Sequence, residues 1–190
     1  GENGALAKKL KVKLINSGYD VITYTSQKNI FKKNCYYWNY KKNIIDLESL
    51  KRCQHIIHLS GYSIIKPWTK KNKKLMFESR VKTADFLFEN CFENNINIKT
   101  FVSASAIGIY SENSDKEMYE DDELGNSWLS NLAKEWESSS MKFIKIGSRV
   151  VNLRVSLLID KNSGFLKKML PLLKIGIVPL IGNKNNRFEY

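Results

Sequence analysis

The chain has 190 residues, 43% of them hydrophobic and 26% charged, and 31 Lys and Arg against 19 Asp and Glu give it a formal charge of +12. That length suits one domain with a buried core. No apolar run approaches the ~18–20 residues that span a bilayer, nothing reads as a signal peptide, and 3 Pro, 10 Gly and 12% aromatics do not fit collagenous or low-complexity sequence.

Residues 5–16 place Leu6, Leu10, Leu14 and Ile15 on one face, which predicts a core-facing helix. Gly18 ends it, and Asp20 to Thr25, rich in β-branched residues, follows as a strand. Tyr36 to Trp38 reads as a short strand, 46–52 as a small helix, and His55 to Leu59 as a strand that stops at Ser60 and Gly61. Residues 69–95 read as one or two helices with Leu75, Met76, Val81, Ala84, Leu87 and Phe88 inward. A strand from Ile98 to Ser103, an acidic loop, a helix over 127–140, a strand from Val150 to Val155 and a short helix from Gly164 to Leu173 complete the pattern. Alternating strands and helices predict an α/β fold with a doubly wound parallel sheet, which binds ligands at the carboxyl ends of its strands.

Charge and cysteine are weak guides to function here. Lys, Asn and Ile, with 26, 19 and 19 residues, make up about a third of the chain, the composition of an AT-rich coding sequence. The lysines fall in scattered clusters that read as solvated helix faces, with only Trp68 beside one of them to offer base stacking, so a nucleic-acid partner is not expected. Cys35, Cys53 and Cys91 are odd in number and far apart, and read as reduced thiols of a cytoplasmic protein. His55 and His58 point to opposite faces of one strand, so no metal site is expected.

The chain opens Gly1-Glu-Asn-Gly4-Ala-Leu-Ala7 and runs straight into the first helix. Small residues at a helix N-terminus let backbone approach a pyrophosphate, whose charge the free N–H groups and the helix dipole hold. No strand precedes Gly1, so the motif is expected to lack its first strand.

From this point the sequence resembles the extended short-chain dehydrogenase/reductase superfamily, and more closely its atypical branch of NAD-dependent epimerase family proteins. The resemblance runs through the glycine loop from Gly1 to Leu10, His58-Leu-Ser-Gly61, Trp68-Thr69, Glu78-Ser-Arg-Val81, Val102-Ser-Ala-Ser-Ala-Ile-Gly108, Trp136-Glu137, Arg149-Val-Val-Asn-Leu-Arg154, Lys168-Met-Leu-Pro171 and Gly182, in the family's order. It implies a Rossmann-type sheet over 1–160 that binds NAD(P), and the incomplete start of a smaller substrate-side lobe over 161–190. Gly1, Asn3, Gly4, Ala5 and Leu6 would line the pyrophosphate, Ser60 and Gly61 would flank the ribose, and Ser103 lies deeper on the face of Ser105.

The superfamily's acid/base pair is a Tyr and a Lys spaced Tyr-x-x-x-Lys on one helix, with a Ser polarising the substrate oxygen. By resemblance Ser105 takes the Ser position, but the Tyr and Lys positions fall on Leu129 and Ala133, which carry no proton. Tyr110 is the nearest phenol and a substitute acid; Glu137 reads as an exposed carboxylate pairing with a neighbouring Lys. At the end of the second strand, where the branch offers Arg, stands Ser26 followed by Lys28, a pair that favours NADP over NAD. The expectation is an NADP-preferring epimerase- or dehydrogenase-like protein acting on an unidentified small molecule, with no membrane partner and pairing as a homodimer. Its alternative is a non-catalytic dinucleotide-binding sensor or scaffold.

Overall fold

The computed structural model describes residues 2–28, 32–110, 117–156, 158 and 164–176. In chain order the elements are α1 (Ala5–Asn16), β1 (Thr23–Thr25), β2 (Cys35–Tyr37), α2 (Leu47–Lys51), β3 (His55–His58), α3 (Lys70–Phe77), α4 (Thr83–Glu93), β4 (Thr100–Ala106), α5 (Trp128–Met141), β5 (Arg149–Val155) and α6 (Gly164–Lys174). The chain divides into two compact units, Gly1–Arg154 and Val155–Tyr190. Among the described residues of the second unit, α6 carries Pro171 in its interior.

The strands form two sheets, β1–β2 and β3–β4–β5. β1 runs parallel to β2, pairing Thr23 with Cys35 and Thr25 with Tyr37, and β3 runs parallel to β4, pairing His55 with Thr100 and His58 with Ser103. The core lies against the second sheet. Leu50, Ile98, Phe101 and Phe143 are fully buried there, with the rings of Phe101 and Phe143 stacked 3.8 Å apart. β4 alternates strictly, turning Phe101, Ser103 and Ser105 inward, as a period of two requires.

One expectation changes and another gains detail. α1 forms where periodicity places it, but none of its residues is buried, and Leu6 and Ile15 remain 39% and 49% exposed. Its Leu10 and Leu14 line a cavity of about 720 Å³ that is also lined by Val21 to Tyr24 and His55 to Ser60. β1 and β3 each end their sheet there, so the apolar face of α1 meets an opening rather than a packed sheet. The segment 69–95 is one continuous helical run interrupted by a π-turn at Glu78–Lys82. The wider turn leaves carbonyls for side chains. Ser79 Oγ and Arg80 Nη1 donate to the Met76 carbonyl at 3.2 and 3.1 Å, and Thr83 Oγ1 donates to that of Ser79 at 2.8 Å.

The thiols of Cys35 and Cys91 are buried and that of Cys53 half-buried, all of them free, and burial pushes the Cys91 thiol up to about 12. No helix among the described residues is long and apolar enough to cross a membrane.

Candidate functional site

Three helices begin under a side-chain cap. Asp46 Oδ1 accepts from the Ser49 N–H at 2.7 Å, Thr69 Oγ1 from Asn72 at 3.2 Å, and Ser127 Oγ from Ser130 at 3.1 Å. α1 differs. It starts at Gly4 with no side-chain cap and no acidic residue in its first turn. The first N–H groups of a helix have no intrahelical partner, so this helix presents donors and the positive end of its dipole to whatever lies beyond Gly4.

Beyond it lies a second cavity, of about 490 Å³. Glu2, Asn3 and Gly4 line it together with Tyr24, Thr25 and Ser26 at the end of β1, Trp38 to Lys41 after β2, and Leu59 to Tyr62 after β3. Among the predicted cofactor residues, the structure thus brings Asn3, Gly4, Ser26, Ser60 and Gly61 to one place. Ala5 and Leu6 follow in the first turn of α1. Lys28 is exposed and does not line this cavity, and Ser103 is fully buried with its hydroxyl donating to the Ala104 carbonyl at 2.9 Å. Gly1 and Gly182 lie outside the described residues.

Gly61 has a steric reason to be glycine. A Cβ there would stand 3.1 Å from both Cζ and Nη2 of Arg80. That guanidinium lies 5.1 Å from the Trp136 ring and donates to the Tyr62 carbonyl at 3.0 Å; burial brings it down to about 10. The Tyr62 N–H in turn donates to Ser79 Oγ at 2.7 Å, so the π-turn anchors the loop after β3. His58, the last residue of β3, is buried with Nε2 2.9 Å from Thr83 Oγ1 and Nδ1 accepting from Trp136 Nε1 at 3.5 Å.

A polar cluster stands where β4 and β5 end. Ser105 is 1% exposed, and its hydroxyl donates to Glu137 Oε1 at 2.6 Å. Arg154 grips the same carboxylate with two bonds, Nε to Oε1 and Nη2 to Oε2, both 3.0 Å. Its Nη1 donates to Tyr110 Oη at 2.7 Å and to the Glu120 carbonyl at 3.0 Å, and the guanidinium lies 5.1 Å from the Tyr110 ring centre. Tyr110 is held by a bridge to Leu124, and a Cβ on Gly125 would come within 2.6 Å of its carbonyl oxygen. The expectation of an exposed Glu137 paired with a lysine is therefore corrected: its carboxylate is largely buried and paired with Arg154, which reaches it from β5. The same cluster sets the Ser105 hydroxyl against the Glu137 carboxylate. Leu129 and Ala133 stand in α5, Leu129 half-buried beside Gly108 and Ala133 buried.

The profile of the NAD dependent epimerase/dehydratase family matches residues 1–173. The chain belongs to that family. It is 26% identical over 148 residues to an epimerase family protein of Mycobacterium leprae, covering 77% of this chain and 48% of that protein. An epimerase family protein of Staphylococcus aureus is 27% identical over 174 residues, covering 89% of this chain and 57% of its own. The chain thus spans about half the length of the curated relatives it matches.

Among solved structures, a nucleoside-diphosphate sugar epimerase of Corynebacterium glutamicum superposes with a TM-score of 0.76 at 24% identity, covering 92% of this chain and 36% of that one. A human epimerase family protein, solved with NADPH, gives 0.75 at 19% identity, covering 93% and 59%. These likenesses establish the α/β fold expected of the strand and helix order and the Rossmann type that the family resemblance implied.

Proposed function

We propose that this chain is the NAD(P)-binding part of an epimerase- or dehydrogenase-like protein that prefers NADP, with residues 1–160 as the cofactor domain and 161–190 opening a substrate-side lobe. One observation carries the reading: the uncapped start of α1 and the ends of β1, β2 and β3 converge on a single cavity. The residues present fit a dinucleotide. Gly4 and the first N–H groups of α1 suit a pyrophosphate, Ser60 and Gly61 suit a ribose, and no carboxylate stands at Ser26 to repel a 2′-phosphate. Family membership, together with a similarly folded human protein solved with NADPH, supports the same cofactor class.

When bound, the nicotinamide supplies hydride transfer; the protein must bind, orient and manage a proton. Because Tyr110 Oη accepts from Arg154, its own hydrogen is left to point elsewhere, and Arg154 takes the orienting role of the absent lysine. Ser105 and Glu137 fix that arginine from behind. Calorimetry on the whole chain tests the reading. NADPH is expected to bind more tightly than NADH, and no binding of either overturns it.

A second reading, dinucleotide binding without turnover, draws on Leu129 and Ala133 at the two proton-carrying positions and on Ser105 being engaged by Glu137. Exchange of labelled hydride between NADPH and a panel of carbonyl compounds would count against it.

A further inference from the structure

Resting on the NADP reading, we propose that Lys41, delivered from β2, is the cation that recognises the 2′-phosphate, in place of a basic residue at the end of β1.

A 2′-phosphate on an adenosine ribose needs a cation beside the end of the second strand of the motif, here β1. Ser26 occupies that end and is neutral, and Lys28, two residues on, does not line the cavity. Among the described residues that do line it, Lys41 is the one Lys or Arg. It enters from the neighbouring strand through the 3₁₀ turn Tyr40–Lys42.

That turn is built to hold a fixed shape. Asn39 Oδ1 accepts from the N–H groups of Lys41 and Lys42 at 3.0 and 3.2 Å, Asn39 Nδ2 donates to Tyr37 Oη at 3.0 Å, and Asn39 bridges to Ile44. The left-handed Asn43 closes it.

The ammonium is also anchored. Lys41 Nζ lies 2.7 Å from Glu78 Oε2, to which Tyr40 Oη donates at 3.0 Å. Glu78 is mostly buried, while the Lys41 side chain is 56% exposed, so the carboxylate acts as a fixed post and the cation faces outward from it. The bond to Glu78 raises the proton affinity of Lys41, and Glu78 is in turn held below the usual carboxylate range chiefly by Lys41. Lys74 Nζ stands 3.9 Å from the other Glu78 oxygen, so two cations offset one carboxylate. Glu78 itself does not line the cavity; Glu2, the one acid among the described residues that do, belongs to the glycine-loop end and pairs with Lys32 at 3.3 Å. An arriving phosphate would add a second acceptor, beside Glu78, to a lysine already pointed and protonated, the arrangement that makes charge-assisted bonds strong.

The test measures dissociation constants on the whole chain for NADPH, NADH, adenosine 2′,5′-bisphosphate and 5′-AMP. Lys41→Met is expected to weaken NADPH and the bisphosphate by about 10-fold or more while leaving NADH and AMP within about twofold. Lys41→Arg should keep most of the discrimination, and Lys28→Met should leave all four ligands unchanged. Equal weakening of both dinucleotides by Lys41→Met overturns the proposal, as does loss of discrimination in Lys28→Met alone. Wild-type binding of NADPH and NADH with equal affinity overturns Lys41 as the reader but leaves dinucleotide binding standing. Failure to bind any of the four removes the NADP reading itself. Both lysines are exposed, and thermal unfolding of each variant verifies that it is folded.

Discussion

α1 carries a clear apolar stripe and β4 a strict alternation, yet no residue of α1 is fully buried whereas β4 buries all three of its inward residues, Phe101, Ser103 and Ser105. β4 is the middle strand of its sheet and contacts α5, and its Phe101 stacks on Phe143. α1 lies along the opening between the two sheets. The contrast separates two things that periodicity alone runs together: the spacing decides which face is apolar, and the element opposite decides how much of it leaves water. It also divides the chemistry. The cavity that suits a dinucleotide gathers residues just before α1 and at the ends of β1, β2 and β3, while the hydroxyls and charges at the end of β4 are satisfied within the protein.

The sharpest way to break this contrast is to empty the packed side. Phe101 is fully buried, stacked on Phe143, with its ring centre 5.9 Å from that of His58. Phe101→Ala should cost about 3–5 kcal/mol in urea unfolding, since the lost transfer energy is joined by an unfilled cavity. A cost under about 1 kcal/mol would mean the packed side is no tighter than the α1 side.

Acid probes the same side more gently. His58 is buried, and burial, with Arg80 nearby adding to it, brings its imidazolium down to about 3 from the usual 6.5. Between those values the unfolded chain binds a proton that the folded chain refuses. Stability is therefore fully present above pH 6.5 and is lost as pH falls toward 3, at about 1.4 kcal/mol per pH unit from this one group. Unfolding followed from pH 6.5 to 5 should show that slope, and His58→Gln should flatten it.

How much of this was legible in the sequence follows the same divide. Helices and strands came from local spacing, and the π-turn at Glu78–Lys82 escaped because its stabilising bonds, from Ser79, Arg80 and Thr83, are visible only in three dimensions. The glycine loop could be read because small residues open a helix there, and Ser26 and Ser60-Gly61 because each follows an apolar run, and the structure does gather Asn3, Gly4, Ser26, Ser60 and Gly61 at one cavity. Lys41 and the Asn39 turn could not, since β2 is only three residues long and nothing local ties it to the cavity. Glu137 was misread for a related reason: its partner Arg154 lies 17 residues away on another element, and helical spacing reports only neighbours on the same helix. The one available signal was Arg154, an arginine next to the end of a β-branched strand, where a charge drawn part-way out of water needs an acid to meet it.

The α1 side supplies the smallest effect and the most discriminating one. Leu14 is half-buried and lines the opening between the sheets. Leu14→Ala removes little surface from a packed environment and leaves no sealed cavity, because water already reaches the site. Alanine also favours helix slightly more than leucine, which offsets part of the loss. The expected cost in urea unfolding is below about 1 kcal/mol, a fraction of what a closed core exacts. A cost approaching that of Phe101→Ala would mean that in solution something fills the space between β1 and β3 and packs on α1, and the difference between the two sides would then vanish.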